Sequence, residues 1–283
     1  MRVCLSGAAR PSGIARQHFR LILLALLGGL ASTLVGATPT AADTDNSEHG
    51  ASIPATVRLA CDNQWRPYYG PQLRDGGVLL AIVRAAMETR GHDITADFVP
   101  WSRAINATSQ GHYDAIPGMY YTEERAKKFR YSEPILPIRT VLIGKRGEVP
   151  ESYEALEDLS GYTFSVLNDN AYSQEFDEAN LRKVSTPRQA GQINAVTRNK
   201  RVIAAAANEA VFLDEAKRMD YAREWFQVIE PPLKINYAHL AVPKTLDYSE
   251  DLIDAFNAGL KRIRSTGRLQ AILKDHDYTT PIN

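Results

Sequence analysis

The chain has 283 residues, of which 44% are apolar, and its 33 basic and 33 acidic side chains give no net charge. This length allows one large domain or two modest ones. No basic cluster stands out, which excludes nucleic acid and an anionic membrane surface as expected partners. At the N-terminus Arg2, Arg10, Arg16 and Arg20 precede an apolar run from Leu21 to Ala37, and no acidic residue comes before Asp43. A basic start, a short apolar stretch and small residues at Val35-Gly36-Ala37 or Thr40-Ala41-Ala42 describe a secretory signal over 1–42, with a flexible leader over 43–53. The run contains Gly28, Gly29, Ser32 and Thr33, so it is marginal for the ~20 apolar residues of a membrane span. Cleavage would make the chain mildly acidic and leave Cys61 as its single cysteine, which rules out an internal disulfide and suits a small core residue.

From Val57 onward, short apolar runs alternate with helical patterns, as in βαβ units around a largely parallel sheet. Residues 57–61 form the first strand candidate. Leu79, Ile82, Val83, Ala86 and Met87 keep helical spacing, with Gly91 as the C-terminal cap. A second strand alternates through Ile94, Ala96 and Phe98. A helix spans 102–110 and stops at Gly111, and Ala115-Ile116 opens a third strand. A second series follows. It has strands at 162–167 and 183–184, a helix over 171–178, and a helix entered at Thr186-Pro187 and running to Arg198. A buried strand at 202–206 precedes a helix through Val211, Phe212 and Ala216. The final long helix starts near Ser249, buries Leu252, Ile253, Phe256, Leu260 and Ile263, and ends at Gly267. Two α/β lobes account for this pattern most simply.

An ordered set of motifs then narrows the reading. It comprises Asn63-Gln64-Trp65-Arg66-Pro67-Tyr68, Gly76-Gly77, Gly111 to Ile116, Tyr121-Thr122-Glu123-Glu124-Arg125, Ser132-Glu133-Pro134, Leu156 to Gly161, Phe256 to Leu260 and Ser265-Thr266-Gly267. This set resembles the family 3 extracellular solute-binding proteins, the periplasmic partners of polar amino-acid ABC importers. The resemblance covers the chain from Val57 to its end, and Pro100-Trp101-Ser102-Arg103-Ala104 points to one subgroup. It implies a type II periplasmic-binding-protein fold, in which each lobe is a mixed, mainly parallel sheet flanked by helices. Lobe 1 would comprise 54–137 and 235–283, lobe 2 would comprise 138–234, and two crossover hinges would join them. Ligand would lie in the cleft, where strand ends and helix N-termini face it.

The resemblance also implies site residues. Arg125 closes the Thr-x-x-Arg segment and would hold a ligand carboxylate through two parallel bonds; a surface pair with Glu123 or Glu124 is the plainer alternative. Gly118, Met119 and Tyr120 precede it and would add contacts. Trp65 and Tyr68 would wall the ligand side chain, with lobe packing as the alternative, and Trp101 and Arg103 follow the second strand toward the same cleft, with core packing and a surface charge as theirs. On lobe 2, Asn208 stands where amino-acid binders carry an aspartate for the ligand ammonium. A neutral amide still accepts a hydrogen bond but gives up the ion pair, which points to carboxylates without a full ammonium contact; the alternative is a helix N-cap. Asn170 and Tyr172 would add lobe-2 contacts on closure, whereas Asp114 is expected to order its own turn.

No nucleophile elbow, phosphate loop or dinucleotide fingerprint occurs, and the histidines have no metal-ligand spacing. The expectation is therefore a monomeric, periplasmic, non-enzymatic binder of a small amino acid or related carboxylate, without cofactor or metal, serving an ABC permease or a membrane sensor. The enzymatic alternative on this scaffold is a cyclohexadienyl (prephenate or arogenate) dehydratase. Its acid would be Glu209, which otherwise reads as a solvated first-turn residue.

Overall fold

The computed structural model describes residues 52–281 except Gln64 and Asp169. The expected export signal and most of the leader lie outside the described residues, as does Gln64 of the first motif. Strand β1 (Thr56–Asp62) pairs in parallel with β2 (Asp93–Val99) along its whole length. Helix α1 (Val78–Glu88) connects them and is buried at nine of its eleven positions. It ends as the sequence predicts: Gly91 N–H bonds Glu88 O at 3.1 Å and His92 N–H bonds Met87 O at 3.2 Å. That paired closure needs a left-handed residue, and Gly91 has a φ of 82°. Gly111 closes α2 (Trp101–Ser109) in the same way, through Thr108 O and Ala107 O.

Next come β3 (Ile116–Tyr120), the short α3 (Glu123–Ala126), β4 (Phe129–Tyr131) and the long β5 (Leu136–Lys145). The second series holds β6 (Thr163–Leu167), α4 (Gln174–Glu178), β7 (Arg182–Thr186), α5 (Gln189–Arg198), β8 (Ala204–Asn208) and α6 (Glu209–Arg218). Strand β9 (Phe226–Pro243) leads back to α7 (Ser249–Ser265) and α8 (Arg268–Asp275). The larger sheet has the order β3-β9-β5-β8-β6-β7, with β4 on the side of β9. In it β5 and β9 run antiparallel from Leu136 opposite Ala238 to Lys145 opposite Phe226, with an irregularity after Thr140.

Side-chain burial separates two lobes along these strands. One core joins α1 and α7 to Leu59, Leu136, Ile138 and Leu240. The other lies on both faces of the β5–β8 pair. Val141, Ile143, Ala205 and Ala207 face Ile193 and Phe212. Leu142, Ala204 and Ala206 turn toward Phe164 and Phe176 instead. This split follows from the two-residue period of a strand, and the alanines of β8 let helices approach closely on one side. The fold is the two-lobed type II arrangement.

Three expectations are corrected. The helix expected to begin at Thr186-Pro187 begins at Gln189, because Thr186 still pairs with Leu167 in the sheet and its hydroxyl donates to Val166 O at 3.3 Å. The helix expected over 171–178 covers Gln174–Glu178, since the Ser173 hydroxyl accepts from Phe176 N–H at 3.2 Å and sets the start there. The buried strand lies two residues further on than expected, so Asn208 closes it.

Candidate functional site

Five elements converge on a pocket of about 240 Å³ lined by Asp62, Trp65, Tyr69, Trp101, Gly118, Tyr120 and Arg125. Asp62 is the carboxyl end of β1. The loop after it folds back, with Tyr69 N–H on Trp65 O at 3.0 Å, and brings three rings together. Trp65 packs 4.3 Å from Tyr68, 5.2 Å from Tyr69 and 5.8 Å from Tyr120, centroid to centroid. Gly118 makes this possible: a Cβ there would lie 2.9 Å from Trp65 Cζ3 and 2.8 Å from Leu79 Cδ1.

Arg125 comes from α3, which Thr122 caps by accepting Arg125 N–H at 3.2 Å. Its Nη1 donates to Tyr120 O at 3.2 Å, and its guanidinium carbon lies 5.5 Å from the Trp101 ring centroid. One donor is thus fixed by the backbone and the cation rests on an aromatic face, which holds the fork in place. Among the described residues Arg125 makes no ion pair with Glu123 or Glu124; it turns to the ring cluster instead. Burial raises the pKa of the Tyr120 hydroxyl, which stays neutral and able to donate. The pocket therefore combines a positioned cation, a carboxylate and aromatic walls, the makings of a site for a small polar ligand.

Larger recesses lie elsewhere. The one of about 730 Å³ is lined by Arg58, Asp97, Arg103 and Tyr113 among others. Its groups are internally engaged: Arg58 pairs with Asp114 at 2.8 Å, and Tyr113 donates to Asp97 at 3.0 Å.

Residues 57–277 match the sequence profile of the bacterial extracellular solute-binding proteins, family 3. The chain belongs to this family. Substrate-binding domain 2 of Lactococcus lactis GlnP, in open conformation, is similar at 22% identity, covering 80% of this chain and 96% of its own, with a TM-score of 0.66. The unliganded open L-cystine solute receptor of Neisseria gonorrhoeae is 18% identical over 79% of this chain and 93% of its own, also with a TM-score of 0.66. An ancestral cationic amino acid solute-binding protein is 19% identical over 78% and 95% respectively, with a TM-score of 0.64. No curated protein matches the chain. These neighbours are binding proteins and share its fold.

In this family 3 solute-binding protein, five of the nine expected site residues line the pocket: Trp65, Trp101, Gly118, Tyr120 and Arg125. Four lie outside it. Met119 is fully buried and its sulfur accepts from Tyr131 OH at 3.2 Å. Tyr68 is fully buried beneath Trp65, with its hydroxyl donating to Asn208 Oδ1 at 3.1 Å. Asn208 caps α6 through Val211 N–H at 3.2 Å. Tyr172 belongs to the second core, its hydroxyl accepting from Leu167 N–H at 2.7 Å. Sequence reasoning missed Asp62 and Tyr69; the position of Asp62 at a strand's carboxyl end was the available signal. Asp114 does more than order its turn, since its buried carboxylate accepts from Arg58 N–H at 2.7 Å and Tyr248 OH at 2.9 Å.

Glu209 is not the solvated residue expected. It is 1% exposed, with Oε2 3.1 Å from Arg139 Nη1 and Oε1 3.8 Å from Arg223 Nη2, and Arg139 also pairs with Glu230. Burial raises its pKa while Arg139 and Arg223 oppose the shift. It does not line the pocket. Among the described residues no group of three or more His, Cys, Asp or Glu is placed to hold a metal ion. Nor is any described helix long and apolar enough to cross a membrane.

Proposed function

We propose that the protein is a periplasmic, monomeric binder that captures a small amino acid or related carboxylate against Arg125, encloses it by lobe closure and delivers it to an ABC permease. The observation that carries this reading is the held guanidinium, fixed by Tyr120 O and the Trp101 face inside a small aromatic pocket. A planar fork of this kind suits a carboxylate. In this reading lobe 1 spans 54–137 and 235–283, and lobe 2 spans 138–234. The chain would cross where Pro137 pairs with Tyr237 and Ile138 with Asn236, in the paired strands β5 and β9. All the pocket's lining residues come from lobe 1, so a second lobe closing over it would complete the enclosure. The pairing of Glu209 with Arg139, away from the pocket, favours a binder over a dehydratase.

A thermal-shift screen of amino acids and small carboxylates tests the reading, followed by calorimetry on Arg125→Ala. Saturation at ~100 times the dissociation constant stabilises by about 2.7 kcal/mol, which such a screen detects. Arg125→Ala is expected to cost about 2–5 kcal/mol of affinity, because the ligand's carboxylate would be left buried and unpaired. Unchanged affinity would dismiss the pocket.

A further inference from the structure

Helix α6 carries one face for each lobe. Phe212 and Ala216, four residues apart, sit in the second core. Ala210, Asp214 and Lys217 follow one another at i, i+4 and i+7 on the opposite side of the helix. That side meets lobe 1, where Ala210 belongs to the core and Val211 packs against it. Further along α6 the contact changes from apolar to ionic. Arg66, in the loop after β1, donates from Nε to Asp214 Oδ2 at 3.0 Å and from Nη2 to Oδ1 at 3.4 Å. One helical turn on, Lys217 Nζ donates to Asp277 Oδ2 at 2.6 Å. Lobe 1 thus gives the cation of the first pair and the anion of the second. Around these pairs the two surfaces leave a recess of about 330 Å³, lined by Pro67, Leu213, Asp214, Lys217, Asp277 and Tyr278 among others, so they meet there through charges and not through dry packing.

We infer that Arg66–Asp214 and Lys217–Asp277 form a clasp that holds the lobes open and so sets ligand affinity from outside the pocket. This rests on the lobe and pocket reading proposed above. Among the described residues no lobe-2 side chain lines that pocket, so the arrangement that makes both pairs is one that leaves the pocket uncovered. The start of α6 is fixed beside the crossing, where Asn208 pairs with Thr140 of β5 and Glu209 with Arg139. Asp214 and Lys217 lie about 7 and 12 Å further along the helix axis, so a rotation about the crossing shifts them against lobe 1 more than it shifts Glu209. Both pairs already stand at contact distance, and the two-pronged fit of Arg66 on Asp214 tolerates little displacement. Closure therefore parts them, and binding carries that cost. Each pair is partly exposed, Lys217–Asp277 the more so, which makes the clasp a modest bias and not a lock.

The probes are the standard amino acids, acetate, lactate and succinate, and the one that binds the wild type tightest is carried into the variants. Asp214→Asn and Lys217→Gln each remove one pair and keep good helix geometry. Calorimetry is expected to show about two- to fivefold tighter binding in each, the change in an equilibrium constant that loss of one exposed ion pair makes. Stopped-flow tryptophan fluorescence is expected to place the gain in slower dissociation with association unchanged, because the pocket is uncovered in all three proteins. The two substitutions change the net charge in opposite senses, so a gain in both cannot come from the protein's overall field. Unchanged or weaker binding in either variant would overturn the inference, as would a gain that lies in faster association. Arg125→Ala separates the two claims. If it abolishes binding while a clasp variant leaves affinity unchanged, the pocket stands and the clasp falls. If it leaves affinity unchanged, or if no probe binds, the pocket reading falls and this inference with it.

Discussion

Gly118→Ala puts the construction of the pocket to a direct test that needs no ligand. Gly118 has a φ of 82°, in the left-handed region. Placing a β-carbon there costs about 1–2 kcal/mol from backbone sterics alone. The new methyl would also lie 2.8 Å from Leu79 Cδ1, 2.9 Å from Trp65 Cζ3 and 3.3 Å from Tyr69 Cε1. All three neighbours are held: Leu79 and Tyr69 are buried in the lobe-1 core, and Trp65 is wedged among three tyrosines. Overpacking of this kind adds about 1–3 kcal/mol. The expected loss is therefore about 2–5 kcal/mol in urea unfolding, with a shift in tryptophan emission as the Trp65 ring is displaced. If stability changes by less than about 0.5 kcal/mol, as for an ordinary surface substitution, the seat of Trp65 is not built as described.

Arg139→Ala would leave the buried Glu209 carboxylate without its nearest cation, and is expected to destabilise by about 3–5 kcal/mol in urea titration. Because burial raises the pKa of Glu209, ionising it disfavours the folded state; stability should fall as pH rises from the ordinary glutamate range through the raised value, and Glu209→Gln should flatten that slope. Tyr278 is pushed up to about 12, chiefly by burial, so its contribution is intact below the unfolded tyrosine pKa and lost as pH rises through the folded one. Unfolding followed between pH ~10 and 12 should show a loss to which Tyr278 contributes about 2–3 kcal/mol, and which is smaller by that share in Tyr278→Phe.

The sequence by itself determined the elements whose signals are local. Periodic apolar residues marked α1 and α7, and Gly91 and Gly111 marked helix ends, because a left-handed closure is a property of the few residues around it. Motif order gave the two lobes and the residue types of the proposed carboxylate site. Strand β9 was not legible: its 18 residues include Pro231, Pro232 and Pro243 and lack clean alternation, and its partners Ile116–Tyr120, Phe129–Tyr131 and Leu136–Lys145 lie far away in the chain. The second helical series was misplaced at its starts because Thr186 can either cap a helix or end a strand, and only the pairing with Leu167 selects the strand. At the site, the sequence supplied Arg125 and the two tryptophans, whereas the fold decided which of them meet. Tertiary packing put Tyr68 under Trp65 and against Asn208, and drew Glu209 onto Arg139. Hydrogen-bond capacity is a property of atoms already engaged or still available, so what the Asn208 oxygen has left to offer depends on Tyr68, 140 residues away in the chain, and not only on being an asparagine.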